Sequence, residues 1–168
     1  MLGLAMTRDM GLGTVKLRGA YGKGIRPPPP SARQTIATLK FRQRGNPAIE
    51  PETQSGWEGG VEWFAGDRAT LSFTGYTQVA RGLIQQVIQD RRTIQYQNVG
   101  QIANRGAELE ANVRQGTLRL NGTLSLTDSR VRALGRTYTG DLKVGDRVPE
   151  VPASSGSMAL SWDYNRTT

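Results

Sequence analysis

The segment that most limits what this chain can become is 96–126. It runs Tyr96-Gln97-Asn98-Val99-Gly100-Gln101-Ile102-Ala103-Asn104-Arg105-Gly106-Ala107-Glu108-Leu109-Glu110-Ala111-Asn112-Val113, turns at Gln115-Gly116, and returns through Leu118-Arg119-Leu120-Asn121-Gly122-Thr123-Leu124-Ser125-Leu126. From Gly106 onward, Ala107, Leu109, Ala111 and Val113 alternate with Gly106, Glu108, Glu110, Asn112 and Arg114. In the returning arm, Leu118, Leu120, Gly122, Leu124 and Leu126 alternate with Thr117, Arg119, Asn121, Thr123 and Ser125. Side chains point to opposite faces of a strand in turn, so this pattern predicts a long hairpin with one aliphatic and one polar face.

Alternation alone leaves a soluble sandwich open, since such a sheet is also polar towards water. The length of the arms and the minimal turn favour another arrangement. A tilted membrane strand needs about nine to eleven residues, and apolar-out, polar-in hairpins with short turns at one end describe an outer-membrane barrel. No run of apolar residues is long enough for a transmembrane helix.

The remaining strands repeat the pattern. Thr14–Ile25 places Val15, Leu17, Gly19 and Tyr21 against Lys16, Arg18 and Ala20, and stops at the prolines Pro27 to Pro30, which lack the N–H a ladder needs. A long connection over 26–55 follows, with a short strand possible in Thr35–Phe41. Trp57–Phe64 carries Trp57, Gly59, Val61 and Trp63 against Glu58, Gly60 and Glu62. After the turn 65–68, Ala69–Val79 alternates again. Gly82–Gln89 reads as a continuing strand, a short amphipathic helix being the alternative; Asp90-Arg91-Arg92 is a loop tip, and Thr93–Tyr96 returns to the sheet. Thr127–Pro152 reads as a long polar connection, and Ser157–Tyr164 as the last strand. Long connections therefore alternate with short ones, and Tyr21, Trp57, Trp63, Trp162 and Tyr164 stand near strand ends, as interfacial girdles do.

Composition removes several classes. The chain has no Cys and no His, so disulfides, thiolate chemistry, a His-dependent triad and a His-ligated zinc site are excluded within it. The net charge of +8 raises the question of nucleic acid, but the basic residues are spread from Arg8 to Arg166 without a clustered run, so none is expected. Glu58 with Glu62, or Glu108 with Glu110, could imitate the paired carboxylates of a glycosidase, yet no other catalytic residue type converges on them. Asp128, Asp141 and Asp146 match no calcium-loop spacing. No enzyme activity and no cofactor are expected. The N-terminal segment Met1–Met10 does not read as a secretory signal, its apolar run stopping at Arg8-Asp9.

Five segments, in this order, resemble the C-terminal barrel of TonB-dependent outer-membrane receptors. They are Leu17-Arg18-Gly19-Ala20-Tyr21-Gly22-Lys23-Gly24-Ile25-Arg26-Pro27-Pro28, Gly45-Asn46-Pro47-Ala48-Ile49-Glu50-Pro51-Glu52-Thr53, and Gly75-Tyr76-Thr77-Gln78-Val79-Ala80-Arg81-Gly82-Leu83-Ile84, then Asn98-Val99-Gly100 with Arg105-Gly106-Ala107-Glu108-Leu109-Glu110, and Arg147-Val148-Pro149-Glu150-Val151-Pro152-Ala153. The resemblance implies an all-β, antiparallel transmembrane barrel segment: about six strands of a larger, 22-stranded type, with long outer loops and short periplasmic turns. Residues 1–168 then form a partial receptor barrel. The family's plug domain and energy-coupling box are not read here, and neither is a terminal aromatic residue after Thr167-Thr168, so the expectation is an internal piece of the barrel.

The function implied is binding and import of a scarce solute, of the ferric siderophore, cobalamin or glycan class, at the outer membrane of a Gram-negative bacterium. Implied partners are the TonB energy-coupling complex acting through the plug, the small-molecule ligand, and outer-membrane lipid with lipopolysaccharide. The candidate outer-loop ligand contacts are Arg33, Arg42, Arg91, Arg92, Arg132 and Arg136. A porin-like channel and a soluble basic β-domain binding polyanions are the alternatives; the second would show steeply salt-dependent binding.

Overall fold

Strands joined by turns of two or three residues have no choice but to pair with each other, and three such pairs build most of this molecule. The computed structural model describes residues 2–149 and 151–164. Its strands are β1 (Leu2–Met10), β2 (Gly13–Arg26), β3 (Ile36–Ala37), β4 (Arg42–Arg44), β5 (Glu52–Ala65), β6 (Ala69–Arg81), β7 (Ile84–Asp90), β8 (Thr93–Asn98), β9 (Gly100–Gln115), β10 (Leu118–Leu134) and β11 (Ser154–Trp162). One 3-10 turn, Pro30–Arg33, follows the proline run. The main sheet has seven strands in the order β1-β2-β5-β6-β9-β10-β11, all antiparallel. A second sheet of four short strands has the order β3-β4-β8-β7, with β4 parallel to β8.

The main sheet is a wall. Its short turns, Gly11-Leu12, Gly66-Asp67-Arg68 and Gly116-Thr117, lie at one end. Gly116 has φ +59°, a left-handed conformation that a residue with a Cβ adopts only at a cost. The long connections lie at the other end, and the second sheet is built from two of them.

Register turns the alternating pattern into continuous rows. Met6, Leu17, Val61, Phe73, Leu109 and Leu124 stand directly opposite one another across six strands. This row is exposed: Leu17 is 46%, Phe73 48% and Leu124 45% accessible. Large contiguous apolar surface of this kind marks a face with a non-aqueous neighbour. The opposite face carries Lys16, Glu62, Ser72, Glu110, Thr123 and Ser157 in the adjacent row. The buried apolar residues, Ala32, Ile49, Val87, Val99, Ile102, Val131 and Val148, all belong to the loop end. Among the described residues the wall below them has no dry core and no facing sheet, which removes the sandwich.

Several sequence expectations change. The wall has seven strands rather than about six, because Leu2–Met10 forms β1 against β2. Leu2, Leu4 and Met6 alternate with Gly3, Ala5 and Thr7, so the period was present in the segment weighed above only as a signal peptide. Strand β10 does not end at Leu126 but continues to Leu134, through a bulge between Val131 and Ala133. The polar residues of 127–134 suit a strand that rises above an apolar band. Gly82–Gln89 is strand as read, but it does not continue β6: Ile84–Asp90 is a separate strand, β7, in the second sheet. The short strand expected in Thr35–Phe41 shrinks to Ile36–Ala37, and Arg42–Arg44 forms β4 through a parallel partner 51 residues away, which local pattern cannot foretell. Met1, Glu150 of the Arg147–Ala153 motif, Arg166 and the Thr167-Thr168 end lie outside the described residues.

Candidate functional site

The polar face of the wall is charged, and its charges are paired on one side only. Lys16 Nζ lies 3.1 Å from Glu62 Oε2. Arg18 Nη1 lies 3.4 Å from Glu58 Oε1, and its Nη2 donates to Thr74 Oγ1 at 2.6 Å. Arg18 Nε is 3.0 Å from Glu62 Oε1, but its N–H does not aim at that oxygen, so the contact is an ion pair without a hydrogen bond. Gly60 makes room for this guanidinium, since a Cβ there would meet Arg18 Nε at 3.1 Å and the Phe73 carbonyl oxygen at 2.9 Å. Glu58 and Glu62 are thus held by cations. Glu108 and Glu110, two strands further on, sit beside Thr74, Ser72, Ser125 and Thr123. Among the described residues no cation pairs with either.

Above these carboxylates the polar face opens into a hollow of about 520 Å³, lined by Gln54, Glu58, Tyr76, Gln78, Asn104 and Glu108, with Leu83, Ile102, Val148 and Val151 also lining it. Gln54 Nε2 donates to Gln78 Oε1 at 2.6 Å, Tyr76 and Thr127 share a hydroxyl hydrogen bond of 2.9 Å, and Ser129 Oγ donates to Asn104 Oδ1 at 2.5 Å. These bonds fix the side chains and leave amide and carboxylate groups free to face a polar occupant. A neighbouring hollow of about 300 Å³ is lined in part by Ala20, Gly22, Gly24 and Gly56, where missing side chains give the space.

Beyond the wall, the second sheet is locked by amides. Asn98 Nδ2 donates to the carbonyls of Gly82 (2.7 Å) and Glu50 (3.0 Å), and its Oδ1 accepts the Glu50 N–H at 2.9 Å. Gln97, almost fully buried, accepts the Thr139 N–H at 2.9 Å, and Asn46 Nδ2 donates to the Tyr96 carbonyl at 2.9 Å. One side chain each therefore ties loop 45–51, hairpin β7–β8 and loop 135–149 together. On top of this platform the Arg42 N–H donates to the Arg92 carbonyl at 2.8 Å, and the Arg92 N–H to Asp90 Oδ1 at 2.9 Å. The backbone N–H of Arg92 and the Thr93 hydroxyl hold the Asp90 carboxyl below its ordinary value, and the charge of Arg42 adds to them.

Residues 11–167 match a family model, "TonB dependent receptor-like, beta-barrel". The chain belongs to the TonB-dependent receptor β-barrel family. Solved structures share the fold. The copper transporter OprC is similar over 97% of this chain and 24% of its own, with 16% identity and a TM-score of 0.69. The siderophore receptor PirA from Acinetobacter baumannii is similar over 98% and 26%, with 14% identity and a TM-score of 0.68. The Serratia marcescens hemophore receptor HasR, solved as a double mutant with its hemophore HasA and heme, is similar over 97% and 29%, with 19% identity and a TM-score of 0.70. The chain thus spans between 24% and 29% of these three proteins. No curated protein matches it by sequence.

In this TonB-dependent receptor segment the six candidate arginines separate. Arg91 and Arg92 form the turn of β7–β8 next to Asp90, and Arg42, at the start of β4, is joined to Arg92 by a backbone hydrogen bond. Arg33 turns onto its own loop, donating to the Ile49 carbonyl at 3.3 Å. Arg132 occupies the bulge of β10, and Arg136 the turn closed by the Tyr138 N–H on the Gly135 carbonyl. Sequence reasoning missed the amide network of Asn46, Gln97 and Asn98 and the hollow above Glu108. The run Gln95-Tyr96-Gln97-Asn98, amide-rich within a strand, is the signal that marks the first; nothing local marks the second, which needs four strands side by side.

Proposed function

We propose that this chain forms part of the wall and outer loops of a receptor that imports a scarce solute across the outer membrane of a Gram-negative bacterium. The family supplies the class; the observation that carries the reading is the polarity of the wall. One face offers exposed aliphatic rows suited to lipid, and the other offers fixed charges and an open polar hollow. Long loops at one end form an ordered platform, and short turns close the other, as in barrels whose loops face outward. A plug within the barrel would face the polar side and carry the signal from the TonB energy-coupling complex. Outer-membrane lipid with lipopolysaccharide surrounds the apolar side. The solute belongs to the ferric siderophore, cobalamin or glycan class.

Among the candidate contacts, Arg42, Arg91 and Arg92 form the best grouped set, because the Arg42–Arg92 backbone hydrogen bond brings three exposed cations together at the tip of β7–β8. Arg33, Arg132 and Arg136 are also exposed and are the second set of candidates. The test is uptake of labelled ferric siderophores, cobalamin and glycans by cells carrying the intact receptor. Replacing Arg42, Arg91 and Arg92 with Ala is expected to lower uptake about ten-fold, the loss of a charge-assisted hydrogen bond, with unchanged receptor in the outer membrane. Unchanged uptake of the solute that the parent imports would remove these three from the site.

A further inference from the structure

Along β10 the apolar face runs Leu118, Leu120, Gly122, Leu124 and Leu126, and then changes character at one step to Asp128 and Arg130. Along β9 it runs Val113, Ala111, Leu109 and Ala107, and changes at Arg105. The change comes on the side of the long loops. Nine residues from Leu118 to Leu126, tilted as barrel strands are, span about the 25 Å of an outer-membrane apolar band. Arg105 and Asp128 are therefore the first positions past the band, still on the face that meets lipid.

Three arginines converge there. Arg105 stands directly opposite Asp128, with Nη2 3.1 Å from Oδ2, and Arg130 Nε lies 2.9 Å from Oδ1 of the same carboxylate. Arg147 is bridged directly opposite Arg130, and its Nη2 donates to the Thr127 carbonyl at 2.8 Å. The side chains of Arg105 and Arg130 remain 70% and 43% exposed. Like charges placed opposite each other on one face repel, and among the described residues one carboxylate offsets only one of three cations. The patch carries an excess of positive charge at the level where lipid headgroups begin, and guanidinium groups grip phosphate through paired N–H donors.

We infer that Arg105, Arg130 and Arg147 form a binding site for the phosphate of a phosphorylated saccharolipid headgroup in the outer leaflet. The inference rests on the outer-membrane reading above and names the lipid and the residues. Asp128 acts as a positioning residue, holding Arg105 and Arg130 side by side.

The test uses the intact receptor that contains this chain. Parent and R105Q/R130Q/R147Q protein are purified from outer membranes in mild detergent, and retained saccharolipid is counted per receptor by mass spectrometry. The triple variant is expected to retain about a hundred-fold less, each arginine near an anionic surface contributing about five-fold; equal retention overturns the site. A second measurement needs no variant. The parent, in zwitterionic phospholipid vesicles, is expected to unfold at higher temperature when bisphosphorylated saccharolipid is added than when its dephosphorylated form is added. Equal midpoints overturn the site even where the variant fails to assemble. Absence of the parent from the outer membrane overturns the underlying reading together with the site.

Discussion

The seven-stranded wall and the four-stranded platform are both β-sheet, yet they are held by different physics. In the wall every strand is long, neighbours pair by backbone ladder over 9 to 16 residues, and the buried apolar residues described in its strands, Ile102 and Val131, lie at the loop end. Its stability depends on what covers its apolar face and on closure into a full barrel, because an open edge in lipid leaves backbone groups unpaired. The platform has short strands of 2 to 7 residues and several buried apolar side chains of its own. Asn and Gln side chains supply the hydrogen bonds that its ladders are too short to make. A polar amide that is fully satisfied can fix a loop as firmly as a ladder does, and breaking it leaves a buried group without a partner.

The sharpest way to break the comparison is to place the same charge on each region. Leu124 and Ile88 are both exposed aliphatic residues, but only Leu124 lies in the apolar rows of the wall. Leu124→Arg is expected to cost about 2–4 kcal/mol in the membrane, read as a fall in denaturant midpoint of the receptor folded in vesicles. Ile88→Arg is expected to change stability by less than about 0.5 kcal/mol. Equal effects would mean that the apolar rows do not face lipid.

A smaller effect is expected from the platform's main lock. Asn98→Ala removes three hydrogen bonds and strands the Glu50 N–H. The expected cost is about 1–3 kcal/mol, confined to faster amide exchange and proteolysis in loop 45–51 and hairpin β7–β8. Exchange in β5, β6, β9 and β10 should stay as in the parent; if it rises equally, wall and platform are one cooperative unit.

The smallest effect concerns the tip. The Asp90 carboxyl is held below its ordinary value of 3.8, so its ionised form favours the folded tip. That contribution is fully present above pH 3.8 and is lost as pH falls through the lowered folded value. Hydrogen-exchange protection at Arg92 and Thr93, taken relative to the intrinsic rate at each pH, should fall on acidification below pH 3.8 in the parent and be low at every pH in Asp90→Ala. A pH-independent parent would sever the link between Asp90 and the tip.

Much of the wall was legible because its signal is local and redundant. Each strand repeats period 2 over enough residues that the face of Leu17, Val61, Phe73, Leu109 or Leu124 follows from its neighbours. The candidate site was legible only in part. Arg42 and the pair Arg91-Arg92 stand about fifty residues apart, and their meeting depends on the parallel pairing of β4 with β8. The lipid-side cluster was hidden for the same reason: Arg105, Arg130 and Arg147 sit on three different segments. Read singly, each is one more solvated cation in a basic chain.

The sequence by itself determined the alternating bodies of β2, β5, β6, β9, β10 and β11 and which side chains share a face, since these follow from side-chain alternation and from where proline and glycine interrupt it. The tertiary structure alone decided that β6 pairs with β9 across the β7–β8 excursion, that loop 27–51 and hairpin β7–β8 share a sheet, and that, among the described residues, Glu58 and Glu62 find cations where Glu108 and Glu110 do not. Those outcomes depend on register between distant segments, and a shift of one residue would carry every side chain of a strand to the other face.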